Sequence, residues 1–248
     1  RRKLDKLLAT PLAPALVTQL ADQSPLFARA PADVRQRLQG PIQILLEEKH
    51  WEGCDGLVLT DTMRLLIAAH AALLQLRGDA DFYPALDTIL VYPETFVVNH
   101  AVADEHGFVS EGEDELAGES WQRGVVILSW NDIRRDLADP DAGYDVILHE
   151  FAHQLDEETG EADGAPLLPD TELAARWARA FRDAYGRHRK NLRRGREVLF
   201  DDNAAENPAE FLATAVEIFF TLPRDLRQEF GDVYRALADW LALDPAGW

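Results

Sequence analysis

Residues Val146-Ile147-Leu148-His149-Glu150-Phe151-Ala152-His153-Gln154-Leu155-Asp156 carry two histidines four positions apart, with a glutamate directly after the first. That spacing fixes the local fold. A helix brings positions i and i+4 onto one face, about 6 Å apart at Cβ, and the residues around the polar group are apolar. The turn-forming run Asp139-Pro140-Asp141-Ala142-Gly143 ends just before it. A helix is therefore predicted from about Tyr144 to Asp156.

On such a helix two imidazoles converge on one point. Neutral imidazole nitrogens ligate zinc at about 2.0–2.1 Å, so one zinc ion per chain is the expected cofactor. Glu150 is rotated about 100° from His149. It can flank the ion without ligating it, which is where a general base for a metal-activated water belongs.

A catalytic zinc site needs three protein ligands and an open position. The extension H-x-x-G-x-x-H is absent, because Asp156 and Thr159 stand where its glycine and histidine would be. His188 lies in the basic stretch from Arg187 to Arg196 and is expected at the surface. A glutamate on a later helix is the alternative, and Asn207-Pro208-Ala209-Glu210-Phe211-Leu212-Ala213 offers Glu210. Asn207 suits the helix cap and Pro208 the first helical position. Two readings of Glu210 are open. It completes a capping arrangement with Asn207, or it enters a buried helix and needs a cation such as zinc. Glu217 follows two turns along the same face, where it could orient His149 or His153 through the outer ring nitrogen. Asp156, three residues after His153, competes for that role.

The remainder of the chain frames this site. With 248 residues and 47% hydrophobic content, it can bury a proper core. Prolines interrupt helices over residues 1–50, and Pro41 should kink or split one of them. A helix capped by Thr60 or Asp61 and stopped by Gly78 spans 60–78, with His70 as a satisfied core histidine. Thr88–Tyr92, Phe96–Val98 and Gly124–Trp130 read as strands, and 110–120 as an exposed acidic loop. Residues 160–170 form another loop. Helices follow over roughly 171–190, 207–220 and 229–243. The class is α+β, a mostly helical metallopeptidase-like core with a small β-sheet beside the helix bearing the histidines. One domain, 1–248, is expected, with 1–50 packed on the core as a helical segment.

Forty-four acidic against 25 basic side chains give a net charge of −19, which argues against nucleic acid as a partner. Cys54 is the single cysteine, so no intrachain disulfide forms and a reducing compartment, the cytoplasm, is expected. No apolar run approaches the roughly 18 residues of a membrane span, so no membrane association is expected.

Several motifs now stand in order along the chain: Gly56-Leu57-Val58-Leu59-Thr60-Asp61, Ile89-Leu90-Val91-Tyr92-Pro93 and Val126-Ile127-Leu128-Ser129-Trp130. They continue with His149–Asp156, Asp163-Gly164-Ala165-Pro166 and Asn207-Pro208-Ala209-Glu210-Phe211. From about Trp51 to Phe220 the chain resembles the Mlc titration factor A family of bacterial zinc metallopeptidases, whose catalytic core is similar to that of anthrax lethal factor. The resemblance implies zinc ligation by His149, His153 and Glu210, with Glu150 as the catalytic glutamate. It implies a cytoplasmic, gluzincin-type peptidase with aminopeptidase-like activity, and binding to a glucose-responsive transcriptional repressor. An extended peptide substrate would lie along the strand at 124–130.

One position departs from that pattern. Where the family carries a tyrosine seven residues before the glutamate ligand, this chain has Asn203. A phenol there can donate to the oxyanion of the tetrahedral intermediate. Asn203 compensates through its amide, another group such as Tyr144 replaces it, or activity is low. Two readings follow: an active peptidase, or a zinc-containing, weakly active or inactive binding protein that sequesters a transcriptional regulator.

Overall fold

The computed structural model describes the backbone of residues 2–77, 82–94, 96–103, 109–116 and 124–248, and the side chains of 4–77, 82–94 and 124–248. The architecture is α+β. The N-terminal prolines divide the chain into four helices: α1 (Arg2–Ala9), α2 (Pro14–Gln23), α3 (Pro25–Arg29) and α4 (Ala32–Glu48). Pro14 and Pro25 open their helices, where the missing N–H has no intrahelical partner to lose. Ser24 caps α3 by accepting the Phe27 N–H at 3.2 Å.

Pro41 does not split its helix as expected, for α4 runs through it. Val34, Leu38, Ile42 and Leu45 form one buried stripe along α4. Burying that stripe outweighs a single missing hydrogen bond.

Helix α5 (Asp61–Leu73) is capped by Thr60, whose Oγ1 accepts the Met63 N–H at 3.2 Å. Every residue from Leu65 to Leu73 is buried, so this is a central helix, apolar on all sides. It ends at Leu73, and the expected stop at Gly78 lies outside the described residues.

Strands β1 (His50–Gly53), β2 (Thr88–Tyr92) and β5 (Val125–Ser129) form a parallel sheet in the order β1-β2-β5. Ile89 stands opposite Trp51 on one side and Val126 on the other. Parallel neighbours need crossovers, and α5 supplies the one between β1 and β2. Strands β3 (Phe96–Ala103) and β4 (Val109–Leu116) pair antiparallel in a separate ribbon. The loop expected at 110–120 is thus strand as far as Leu116, because ladder hydrogen bonds come from the backbone whatever the side chains. Residues 117–120 lie outside the described residues.

The strand expected to reach Trp130 stops at Ser129. Ser129 Oγ accepts the Asp132 N–H at 3.2 Å and starts α6 (Trp130–Ala138), a helix outside the expected elements. Then come α7 (Val146–Asp156), α8 (Thr171–Leu192), α9 (Pro208–Thr221), α10 (Pro223–Glu229) and α11 (Gly231–Leu241). Helix α10 is also outside the expected elements.

Among the described residues one hydrophobic cluster runs from Leu12 to Ala246, so α2, α3 and α4 share their core with the rest. Helix α9 is buried along nearly its whole length. Helix α7 packs against α5, β5 and α9, with the sheet edge on one side and the most buried helix on another. No helix among the described residues is long and apolar enough to cross a membrane.

Candidate metal centre

The first turn of α7 is held by two buried carboxylates. Asp136 Oδ2 on α6 accepts the Val146 N–H at 2.9 Å, and Asp145 Oδ1 accepts the Leu148 N–H at 3.0 Å. These bonds satisfy amides that a helix start otherwise leaves orphaned, and the negative charge suits the helix dipole. From the end of that turn and the next, His149 and His153 present their rings on one face, centroids 4.9 Å apart and inclined at 72°.

Helix α9 brings the third group. Asn207 Oδ1 accepts the Glu210 N–H at 3.0 Å, so the capping expectation holds for the Glu210 backbone. Its side chain does something else. Glu210 Oε2 lies 3.2 Å from His149 Nε2, and Oε1 lies 3.2 Å from His153 Nε2. The two Nε2 atoms are themselves 3.2 Å apart. One ligand atom from each of the three residues thus forms a triangle with sides of at most 4.8 Å. A tetrahedral ion with bonds of about 2.0–2.1 Å separates its ligand atoms by about 3.3–3.4 Å. The Nε2–Nε2 distance and the two approaches to the carboxylate are close to that spacing, so the three residues can hold a zinc-sized ion, and their side chains remain partly open to solvent, at 15–25% exposure. The two ring contacts overcome the burial that would raise the Glu210 carboxyl and hold it well below the usual carboxylate range.

Glu217 stands behind His149. Its Oε1 is 2.6 Å from His149 Nδ1, and its Oε2 accepts the Asp145 N–H at 2.8 Å. A carboxylate only accepts, so His149 carries a proton on Nδ1, and Nε2 is the nitrogen turned toward Glu210 and His153. Burial works against the charged ring, but the negative charge of Glu217 and the contact with Glu210 outweigh it and lift the His149 pKa well above its ordinary value.

Asp156, the competitor for that position, is engaged elsewhere. Fully buried at the end of α7, its Oδ2 accepts the Gly164 N–H at 2.8 Å. Gly164 (φ +78°) donates that amide while its carbonyl accepts the Trp177 Nε1–H at 2.9 Å. A Cβ at Gly164 would sit 2.5 Å from the Pro208 carbonyl oxygen. This glycine therefore sits tight between the end of α7, the body of α8 and the first turn of α9, the turn that carries Glu210. The dependence on a bare Cα was not visible in the sequence beyond the motif itself.

Glu150 is buried on α7, one residue beyond His149. Asn203 is exposed in a short 3₁₀ turn, Asn203–Ala205. That turn is held from α8, where Tyr185 Oη donates to the Ala205 carbonyl at 3.1 Å and His188 Nε2 donates to the Asp201 carbonyl at 3.0 Å. His188 is thus buried rather than exposed as expected. Its ring packs against Phe200 and Phe211, and neighbours that far away along the chain outweigh the basic residues beside it. Tyr144, just ahead of α7, is partly exposed. Its phenol pKa is raised by burial and then by the negative charges of Asp201 and Glu217. His70 is a core histidine as expected, 2.9 Å from Ser24 Oγ and 2.6 Å from Asp145 Oδ2.

A helix-borne His/His pair thus meets a glutamate from a second buried helix beside the edge of a small sheet, an arrangement able to hold a metal ion. Residues 1–241 match the family described as glucose-regulated metallo-peptidase M90, and the chain belongs to that family. Among its relatives is an uncharacterized protein of Synechocystis sp., 39% identical over 242 residues, covering 97% of this chain and 88% of that one. The Mlc titration factor A proteins of Pectobacterium atrosepticum and Yersinia pestis are each 31% identical. The first match covers 92% of this chain and 86% of its relative, the second 89% and 82%.

Proposed function

We propose that the chain is a zinc-dependent peptidase of gluzincin type, with aminopeptidase-like action on short peptides. The observation that supports this reading is the triangle of His149, His153 and Glu210, with the two Nε2 atoms 3.2 Å apart and each 3.2 Å from one of the two Glu210 carboxylate oxygens. Those three residues hold the ion. Zinc bound there supplies a Lewis acid for the scissile carbonyl and lowers the pKa of a water from about 15.7 toward about 7. Glu150 takes the proton from the attacking water and returns it to the leaving amine. A purely structural site has no use for that carboxylate. Tyr144 or Asn203 donates a hydrogen bond to the developing oxyanion. An extended peptide adds alongside β5, which packs against α7 and pairs only with β2 among the described strands. With one cysteine and no disulfide, the chain suits the cytoplasm.

A second reading has a specific observation behind it. Asn203 leaves a short amide where the resemblance calls for a phenol, and relatives bear the name Mlc titration factor A. On that reading the protein binds and sequesters a transcriptional repressor and turns over peptides slowly.

Zinc content measured together with hydrolysis of a broad peptide panel tests both, with Glu150→Gln as control. One equivalent of zinc and loss of at least about 10²-fold activity in the variant are expected for the peptidase. Bound zinc with no Glu150-dependent turnover leaves the binding protein as the better reading. Absence of zinc from protein purified without chelator overturns both.

A further inference from the structure

Four side chains, each at least nine-tenths buried, link the N-terminal helices to the metal centre. Ser24 is 1% exposed, His70 3%, Asp145 5% and Glu217 5%. Ser24 Oγ accepts the Phe27 N–H at the start of α3, which leaves its hydroxyl proton for His70 Nε2, 2.9 Å away. His70 Nδ1–H donates to Asp145 Oδ2 at 2.6 Å. Asp145 uses its other oxygen to cap α7, and its own N–H donates to Glu217 Oε2 at 2.8 Å. Glu217 closes the chain on His149 Nδ1 at 2.6 Å.

Each link fixes the next. The His70 donor sets the rotamer of the Asp145 carboxylate. That carboxylate sets the start of α7 and the direction of the Asp145 amide. The amide anchors one oxygen of Glu217, so the other meets His149 in one orientation. In a dry interior such a series is costly to leave half-satisfied, and removing one partner perturbs its neighbours.

We infer that His70 and Asp145 are positioning residues for the peptidase reaction proposed above, setting the orientation and tautomer of His149 through Glu217. Neither touches a donor of the triangle by its side chain. The link also makes the α2–α3 junction part of the active-site scaffold, since Ser24 ends α2 and caps α3. The inference rests on the metallopeptidase reading for its meaning in catalysis, but its geometry is independent of turnover.

The test compares His70→Leu, His70→Asn, Asp145→Asn and Ser24→Ala in the full chain. Asparagine at position 70 can offer an N–H near the Nδ1 place, whereas leucine cannot. Two quantities are read: zinc affinity by competition with a chromophoric chelator, and the imidazole ¹⁵N signals of His149 in metal-free protein. His70→Leu is expected to weaken zinc binding about 10-fold and to shift the His149 ¹⁵N signals, with His70→Asn within about threefold of wild type. A melting temperature lowered in both, with affinity and His149 signals unchanged in His70→Leu, overturns the inference. So does equal damage by leucine and asparagine, which would mean packing alone. If His70→Leu fails to fold, Asp145→Asn and Ser24→Ala decide by the same two readouts, with unchanged signals in both counting against the link. A wild-type protein that takes up no zinc sinks the peptidase reading, while the ¹⁵N signals still decide whether His70 governs His149.

Discussion

Glu217 Oε1 stands 2.6 Å from His149 Nδ1, and this contact determines which ring nitrogen is left for a metal. A carboxylate behind a ligating histidine fixes its tautomer and raises its basicity, and losing such a partner typically costs about 10–100-fold in affinity. Glu217→Ala is expected to weaken zinc binding within that range. Glu217→Gln, which keeps an accepting oxygen, should lose less. Chelator competition at fixed pH measures both, and a Glu217→Ala protein with wild-type affinity would remove this residue from the site.

Gly164 makes a second prediction, through sterics alone. At φ +78° a side chain is strained, and a Cβ would press within 2.5 Å of the Pro208 carbonyl. Gly164→Ala should destabilise the fold by about 2–3 kcal/mol and lower the melting temperature by roughly 5–10 °C. Because Pro208 begins the turn that carries Glu210, zinc affinity should fall with it. Thermal unfolding of metal-free protein, followed by zinc titration below the transition, separates the two effects.

Asn203 and Tyr144 can be separated by opposite substitutions. If the oxyanion lacks a donor, Asn203→Tyr should raise kcat by about 10-fold or more, since one such donor typically contributes about 10²–10³. If Tyr144 already fills the role, Tyr144→Phe should lower kcat by a similar factor with little change in KM, and Asn203→Tyr should do little. Steady-state kinetics on one peptide distinguishes these outcomes.

Asp156 predicts a pH dependence of stability. Burial pushes its pKa from 3.8 up to about 6, against the pull of the Gly164 N–H. The folded state therefore keeps a proton that the unfolded state has already released between about pH 4 and pH 6. Stability falls as pH rises through that window and levels off above it. The fall attributable to this one group is about 3 kcal/mol at most. Asp156→Asn removes the ionisation, so its stability relative to wild type should improve by up to that amount between pH 4 and pH 7. Urea unfolding across this range measures it, and parallel pH profiles for the two proteins would contradict the assignment.

The parts legible in the sequence were those with local signals. His149, Glu150 and His153 followed from spacing on one helix. At Glu210 the sequence leaves a helix cap and a cation ligand both open, and Glu217 competes with Asp156 for the position behind the histidines. Distant packing wrote the rest. His188 reads as surface amid arginines, but Phe200 and Phe211 close over it from other elements. Pro41 reads as a break, but the stripe around it is buried along the whole helix. Helix α6 is short and lies between a strand and a turn cluster, with only the Ser129 cap to announce it. The run from Ser24 through His70 to Asp145 joins residues dozens of positions apart, and no periodicity encodes it.

The two histidines and Glu210 belong to separate helices, α7 and α9, with the whole of α8 between them in the chain. They meet only after those helices have docked, so an unfolded chain offers an ion no such pocket. On the zinc-peptidase reading, metal concentration becomes a thermodynamic variable of the fold: every tenfold excess of free ion over its dissociation constant would add about 1.4 kcal/mol to the native state. A cell that withholds the metal would silence such a protein and shorten its life at the same time.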